Sequence, residues 1–297
     1  MYWGVYSGVC CALDNGVCWR LSCTAAARRY GAVVSSQTGR TDERLPETTW
    51  PRRVLVGETL LVLGAGLGAS AVYALLNIVN RLTVGVALGE QSSSLNNAVT
   101  PERPWLDLAY QLAGIALPVI PALLAVHLLM RDDSRARFLV GWDLRRPWHD
   151  LAAGAALAAI IGVPGLGLYL LARELGVNTT VSAAGLAPVW WAIPVLVLAS
   201  LGNAVLEEVT MLAYLFTRWG QAGYGVVGIV VASALLRGSY HLYQGFGGFV
   251  GNIAMGLLLG AVYARTRRVM PMVVAHTLID VVAFVGYTLL APNVDWL

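Results

Sequence analysis

The chain has 297 residues, 57% of them hydrophobic and only 12% charged, and its mean hydropathy is +0.65. Soluble domains carry about 25% charged residues and keep a polar shell, so a soluble globule is excluded and lipid is the solvent that fits the excess apolar surface. The net charge of +3 is too small for a nucleic-acid surface, and the 20 basic residues are all arginine, a compositional bias rather than a motif.

Residues 1–51 read apart from the rest. The stretch Ser35–Arg53 is polar, turn-rich and unpatterned, which predicts disorder. No basic n-region precedes an apolar core and a small-residue cleavage site, so no secretory signal is expected, and the segment reads as a dispensable tail or a misassigned start. Its cysteines, Cys10, Cys11, Cys18 and Cys23, match no zinc spacing.

From residue 52 to 297 the pattern predicts an all-α, polytopic transmembrane helix bundle. A membrane helix needs about 20 mostly apolar residues, and seven runs qualify: 54–80, 106–130, 150–172, 188–217, 224–243, 248–265 and 269–291. The second holds Pro118 and Pro121 and the third Pro164, breakers that membrane helices tolerate. With seven spans, eleven loop arginines fall on one face and three on the other: Arg52, Arg53, Arg131, Arg135, Arg137, Arg145, Arg146, Arg218, Arg265, Arg267 and Arg268 against Arg81, Arg103 and Arg173. The positive-inside rule then puts the arginine-rich face and the N-terminus in the cytoplasm and the C-terminus outside, with a bacterial plasma membrane as the expected location.

Ionisable groups inside a bilayer are costly and tend to mark function. Glu58 and His127 lie near span ends, where a structural role suffices. The fourth span carries Glu207 and Glu208, the fifth Arg237 and His241, the sixth Asn252, and the seventh His276 and Asp280. Arg237 and His241 are four apart and share a helix face, as do His276 and Asp280. Glu207 and Glu208 point about 100° apart, so one can face a cavity while the other meets a partner. Interhelical hydrogen bonding alone explains a single Asn or His. It does not explain two Glu, an Arg, two His and an Asp in one C-terminal region.

In their order these residues resemble the CPBP family of intramembrane proteases, which contains the CAAX prenyl endopeptidases and the bacterial Abi proteins. The family's E-E-x-x-x-R stands here as Glu207-Glu208-Val209-Thr210-Met211-Leu212. Its F-x-x-x-H stands as Arg237-Gly238-Ser239-Tyr240-His241, and its H-x-x-x-N/D as His276-Thr277-Leu278-Ile279-Asp280. The resemblance covers about 190–285. Two positions depart from it: Leu212 replaces the family arginine and Arg237 the family phenylalanine. The pair predicts that Arg237 takes over the contact with Glu208.

The resemblance implies an endopeptidase acting on a membrane-associated peptide or protein. Glu207 activates water, His241 positions that water or polarises the carbonyl, and His276 and Asp280 complete the site. Glu208 pairs with Arg237, with Asn252 in support. Glu207, His241 and His276 are suitable ligands for Zn2+, and a metal-free glutamate–water reaction uses the same residues. The rival functions are a proton-coupled transporter and a catalytically inactive scaffold or immunity-type protein. Confinement of the polar residues to the C-terminal half favours a single enzyme site over a two-repeat transporter.

Overall fold

The computed structural model describes residues 5–6, 9–14, 17–21 and 48–290, which fall in two units, Met1–Glu43 and Arg44–Leu297. The first unit holds β1 (Val5–Tyr6), β2 (Val9–Asp14) and β3 (Val17–Leu21), an antiparallel meander with Asp14 opposite Val17. The residues between β2 and β3 are Asn15-Gly16, the strongest two-residue hairpin signal. Of the stretch Ser35–Arg53, expected to be disordered, residues 35–47 lie outside the described residues, and Arg52 and Arg53 instead open a helix.

The second unit is a bundle of seven helices long and apolar enough to span a membrane: 52–83, 104–132, 147–174, 192–221, 226–244, 246–266 and 270–290. The first combines α1 (Arg52–Leu63) and α2 (Ala69–Thr83) through a π-helical turn. α3 (Pro104–Asp132) and α5 (Pro147–Glu174) run unbroken through their internal prolines, and the short α4 (Ala136–Leu139) lies between them. The fourth span joins α6 (Ala192–Glu208) to α7 (Leu215–Gln221) through a second π-helical turn, Val209–Tyr214. α8 (Val226–His241), α9 (Phe246–Thr266) and α10 (Met270–Leu290) complete the bundle. The lipid-facing surface is apolar, with Leu61, Val163 and Val227 76%, 74% and 73% exposed.

Loop contacts sort into two faces, as alternation of seven spans requires. On the arginine-rich face, Val269 N–H donates to Val140 O, Arg268 binds Asp143 and Asp150, and Arg218 binds Asp132 and Glu58. On the opposite face, β4 (Ser92–Asn97) pairs in parallel with β5 (Thr180–Gly185). This sheet has no counterpart in the sequence reading. Ser-Ser-Ser-Leu-Asn-Asn shows no alternation, and its partner lies more than eighty residues away, so no local signal announces it.

The sheet roofs the turn after α8. At about 1.5 Å per residue the 16 residues of α8 span about 24 Å, short of the ~30 Å hydrocarbon core. Phe246 N–H donates to Val177 O and Thr179 N–H to Gln244 O, each at 3.0 Å, and Ser93 Oγ donates to Tyr243 O at 3.2 Å. Gly245 adopts φ 115°, closed to most side chains, and a Cβ there would lie 2.7 Å from Asn178 Cα. The turn therefore lies beneath protein, its polar backbone satisfied. α8 and α9 pack closely because Gly238 lacks a Cβ, which would lie 2.6 Å from Ile253 Cγ1.

Candidate active site

Three spans, the fourth, fifth and seventh, bring their polar residues together at mid-bundle. Glu207 and Glu208 end α6, immediately before the π-helical turn, and π-turns concentrate at functional sites. Every residue from Leu206 to Arg218 is buried, so the glutamates enter a packed interior and must find partners there.

Arg237 supplies the counter-charge. It is 1% exposed. Its Nη1 donates to Glu207 Oε2 at 2.9 Å and its Nη2 to Glu208 Oε1 at 2.7 Å. The pairing with Glu208 expected from the Leu212 and Arg237 departures is present, and the same guanidinium also takes Glu207. Leu212, where the family pattern has arginine, is 1% exposed within the apolar core. One fixed cation therefore serves two carboxylates, a geometry suited to the planar guanidinium fork.

The histidines take unequal places. His276 Nδ1 lies 2.7 Å from Glu208 Oε1 and 4.0 Å from Glu207 Oε2, while its Nε2 is 3.7 Å from Asp280 Oδ2. Glu208, not Asp280, makes the close contact that orients this ring. His241, the last residue of α8, has Nδ1 3.2 Å from Arg237 O and its ring 4.8 Å from the ring of Tyr240. It interacts electrostatically with Glu207 and His276 without a direct hydrogen bond to either. Asn252 stays apart from the carboxylates, its Nδ2 donating to Gly248 O one turn back on α9.

Two participants escaped the sequence reading. Tyr240 Oη donates to Glu207 Oε2 at 2.6 Å. Its position three residues after Arg237 places it on the same helix face, but a tyrosine beside a motif histidine reads as packing. Asn203 lies beside Asp280 and interacts with it electrostatically, and it precedes Glu207 by four residues, again on one face; a single amide in a span reads as helix glue.

The two glutamates differ in access. The Glu207 side chain keeps 11% of its surface and that of Glu208 none. Asn203 is exposed and lines a cleft of about 220 Å³ between β4, α3 and α6, with Asn96, Asn97, Tyr110 and Gln111 among its polar walls. This cleft opens on the face opposite the arginines. On the arginine-rich face the fourth span is packed around buried Arg218.

For a metal, the ligand atoms of Glu207, Glu208 and His276 lie within 4.8 Å of one another. The expected set contained His241, which is outside this group. The oxygens nearest His276 already accept from Arg237, and a guanidinium cannot deprotonate to make room. A divalent ion between these carboxylates would touch a fixed positive charge, so the donor set fits zinc poorly.

Residues 189–282 match the family model described as type II CAAX prenyl endopeptidase, Rce1-like. The matched stretch runs from just before α6 into α10 and contains each polar residue of the cluster. No curated protein matches the chain, and no solved structure matches it.

Proposed function

We propose, from the match of residues 189–282 to the family model described as type II CAAX prenyl endopeptidase, Rce1-like, that this chain is an intramembrane endopeptidase in which Glu207 activates the water that hydrolyses a peptide bond. The observation that carries the reading is the asymmetry of the glutamates: Glu207 alone keeps accessible surface, and one of its oxygens is fixed by both Tyr240 and Arg237. That clamp leaves Oε1 to meet water.

In this scheme the water oxygen adds to the peptide carbonyl carbon as Glu207 takes its proton. The resulting oxyanion is stabilised by the positive and N–H groups of the cluster, His241 among them, whose ring makes no hydrogen bond to a carboxylate. Collapse breaks the C–N bond, and the proton held on Glu207 passes to the leaving amine. Water and peptide are consumed, and a carboxylic acid and an amine are produced, which ionise to carboxylate and ammonium. Glu208 and Asp280 hold His276 between them. The guanidinium of Arg237 supplies the fixed charge that a metal would otherwise bring, so no step requires Zn2+.

The substrate is a membrane-associated peptide or protein, and the arginine-rich face is assigned to the cytoplasm. The test is cleavage of a library of fluorophore-tagged hydrophobic decapeptides in detergent by wild-type and Glu207→Gln protein. Cleavage that disappears in a folded variant supports the reading. Cleavage that survives removes Glu207 from the chemistry.

A further inference from the structure

The β4–β5 pair is a parallel sheet of two strands, so each strand has an outer edge. Thr180 N–H donates to Gln91 O in a register that sets Ser92 opposite Thr180. In a parallel ladder alternate residues address the neighbour. Gln91 and Ser93 thus point their backbone groups at β5, and Ser92 and Ser94 point theirs away; beyond Leu95 the alternation shifts, so that Ala98 N–H donates to Gly185 O and Asn97 O accepts from Gln111 Nε2. Among the described residues the outward N–H and C=O groups of Ser92 and Ser94 have no partner, and both residues are exposed. The edge carries none of the usual protection: β4 is Ser-Ser-Ser-Leu-Asn-Asn, with neither proline nor charge. The outer edge of β5, by contrast, is occupied where Val181 N–H donates to Tyr169 Oη.

The open edge stands beside the cleft already described. Leu95, Asn96 and Asn97 line it, and Asn203 lines it from α6. Asn203 lies four residues before Glu207, about 6 Å along the helix axis, and it interacts electrostatically with Asp280. An unpaired strand edge and a cleft whose wall reaches within one helical turn of Glu207 therefore meet at one place.

We infer that the outer edge of β4 is the docking site for an extended segment of the substrate, which adds as a further strand and is led through the Asn203 cleft toward Glu207. This rests on the endopeptidase reading above. Strand addition draws affinity from main-chain hydrogen bonds, so the ligand class is an unfolded peptide segment read by its backbone, with side chains adding selectivity. A peptide bond must also leave its helix before water can attack it, and a strand edge holds it in that form.

The experiment measures binding of the same decapeptide library to Glu207→Gln protein and, separately, cleavage by wild type. Ser94→Pro removes one outward N–H while leaving the bonds to β5, a substitution edge strands tolerate. A parallel library with alternate backbone nitrogens methylated tests the same bonds without touching the protein. The expected result is about tenfold weaker binding from either change, and little further loss when the two are combined. Unchanged affinity for the methylated library, or no binding by Glu207→Gln protein, overturns the strand-addition proposal. If wild type still cleaves in that case, the peptidase reading stands. If binding behaves as expected but neither protein cleaves, the docking edge survives and the chemistry assigned to Glu207 does not.

Discussion

Two buried arginines in this bundle each hold two carboxylates, yet only one of them sits in a candidate active site. Arg218 is fully buried and binds Glu58 at 2.8 Å and Asp132 at 2.5 Å, with Leu128 O and Gln221 taking further donors. Its partners come from α1 and α3 at the arginine-rich face, so the charge ties three spans together. Arg237 binds two carboxylates from one helix, and around it stand two imidazoles, a phenol and a third carboxylate. The first cluster contains no histidine, and its carboxylates are committed to binding arginine. The second has more proton acceptors than Arg237 can occupy, and a polar cleft reaches its edge. Burial and ion pairing alone therefore do not mark a catalytic site; surplus titratable groups with access do.

The sharpest way to break this contrast is to remove one carboxylate from each cluster. Glu207→Gln is expected to lower cleavage by about a thousandfold or more, as loss of a general base does, while thermal unfolding in detergent changes little. Glu58→Gln should do the reverse, lowering the unfolding temperature and leaving turnover within a few-fold. Similar activity losses in both would erase the distinction.

Next in size is the fate of the arginines. Arg237→Phe leaves two buried carboxylates without a cation and should cost about 3–5 kcal/mol of stability, read from unfolding in detergent. Adding Leu212→Arg, which returns the charge to the family position, should recover part of that loss. A double variant no better than Arg237→Phe alone defeats the idea that the charge moved between helices.

Tyr240→Phe removes one hydrogen bond to Glu207 and no charge. Turnover should fall about tenfold with KM nearly unchanged, since the bond positions the base rather than the substrate. A rise in KM with constant kcat would place Tyr240 in binding instead. The chelator 1,10-phenanthroline should leave activity unchanged, and inhibition reversed by added Zn2+ would overturn the metal-free scheme.

The smallest effect lies outside the membrane. Burial raises the Asp143 carboxyl, but hydrogen bonds from Arg268 and from the backbone N–H of Arg145 outweigh it and hold it below the ordinary aspartate value of 3.8. A carboxyl depressed on folding contributes stability that is complete above its unfolded value and is lost as pH falls through the folded one. Asp143→Asn should therefore cost about 1 kcal/mol at neutral pH and flatten the decline in stability below about pH 4. An unchanged acid profile would assign that decline to other groups.

The sequence by itself determined the seven spans, because a bilayer demands runs of about 20 apolar residues whatever the packing. It also singled out the ionisable side chains that meet in the cluster, though not Tyr240 or Asn203, because an ionisable group inside a span is too costly to be incidental, and spacing of four puts Arg237 with His241 and His276 with Asp280 on shared faces. The tertiary structure alone decided that Arg237 bridges both glutamates, that Glu208 rather than Asp280 orients His276, and that Tyr240 and Asn203 belong to the site. Those are interhelical distances, and nothing in one helix encodes the rotation of its neighbour. The sheet from β4 and β5, and with it the side on which the cleft opens, rests on pairing between distant polar segments with no periodicity. Such pairing exists only once the helices have brought the two loops together.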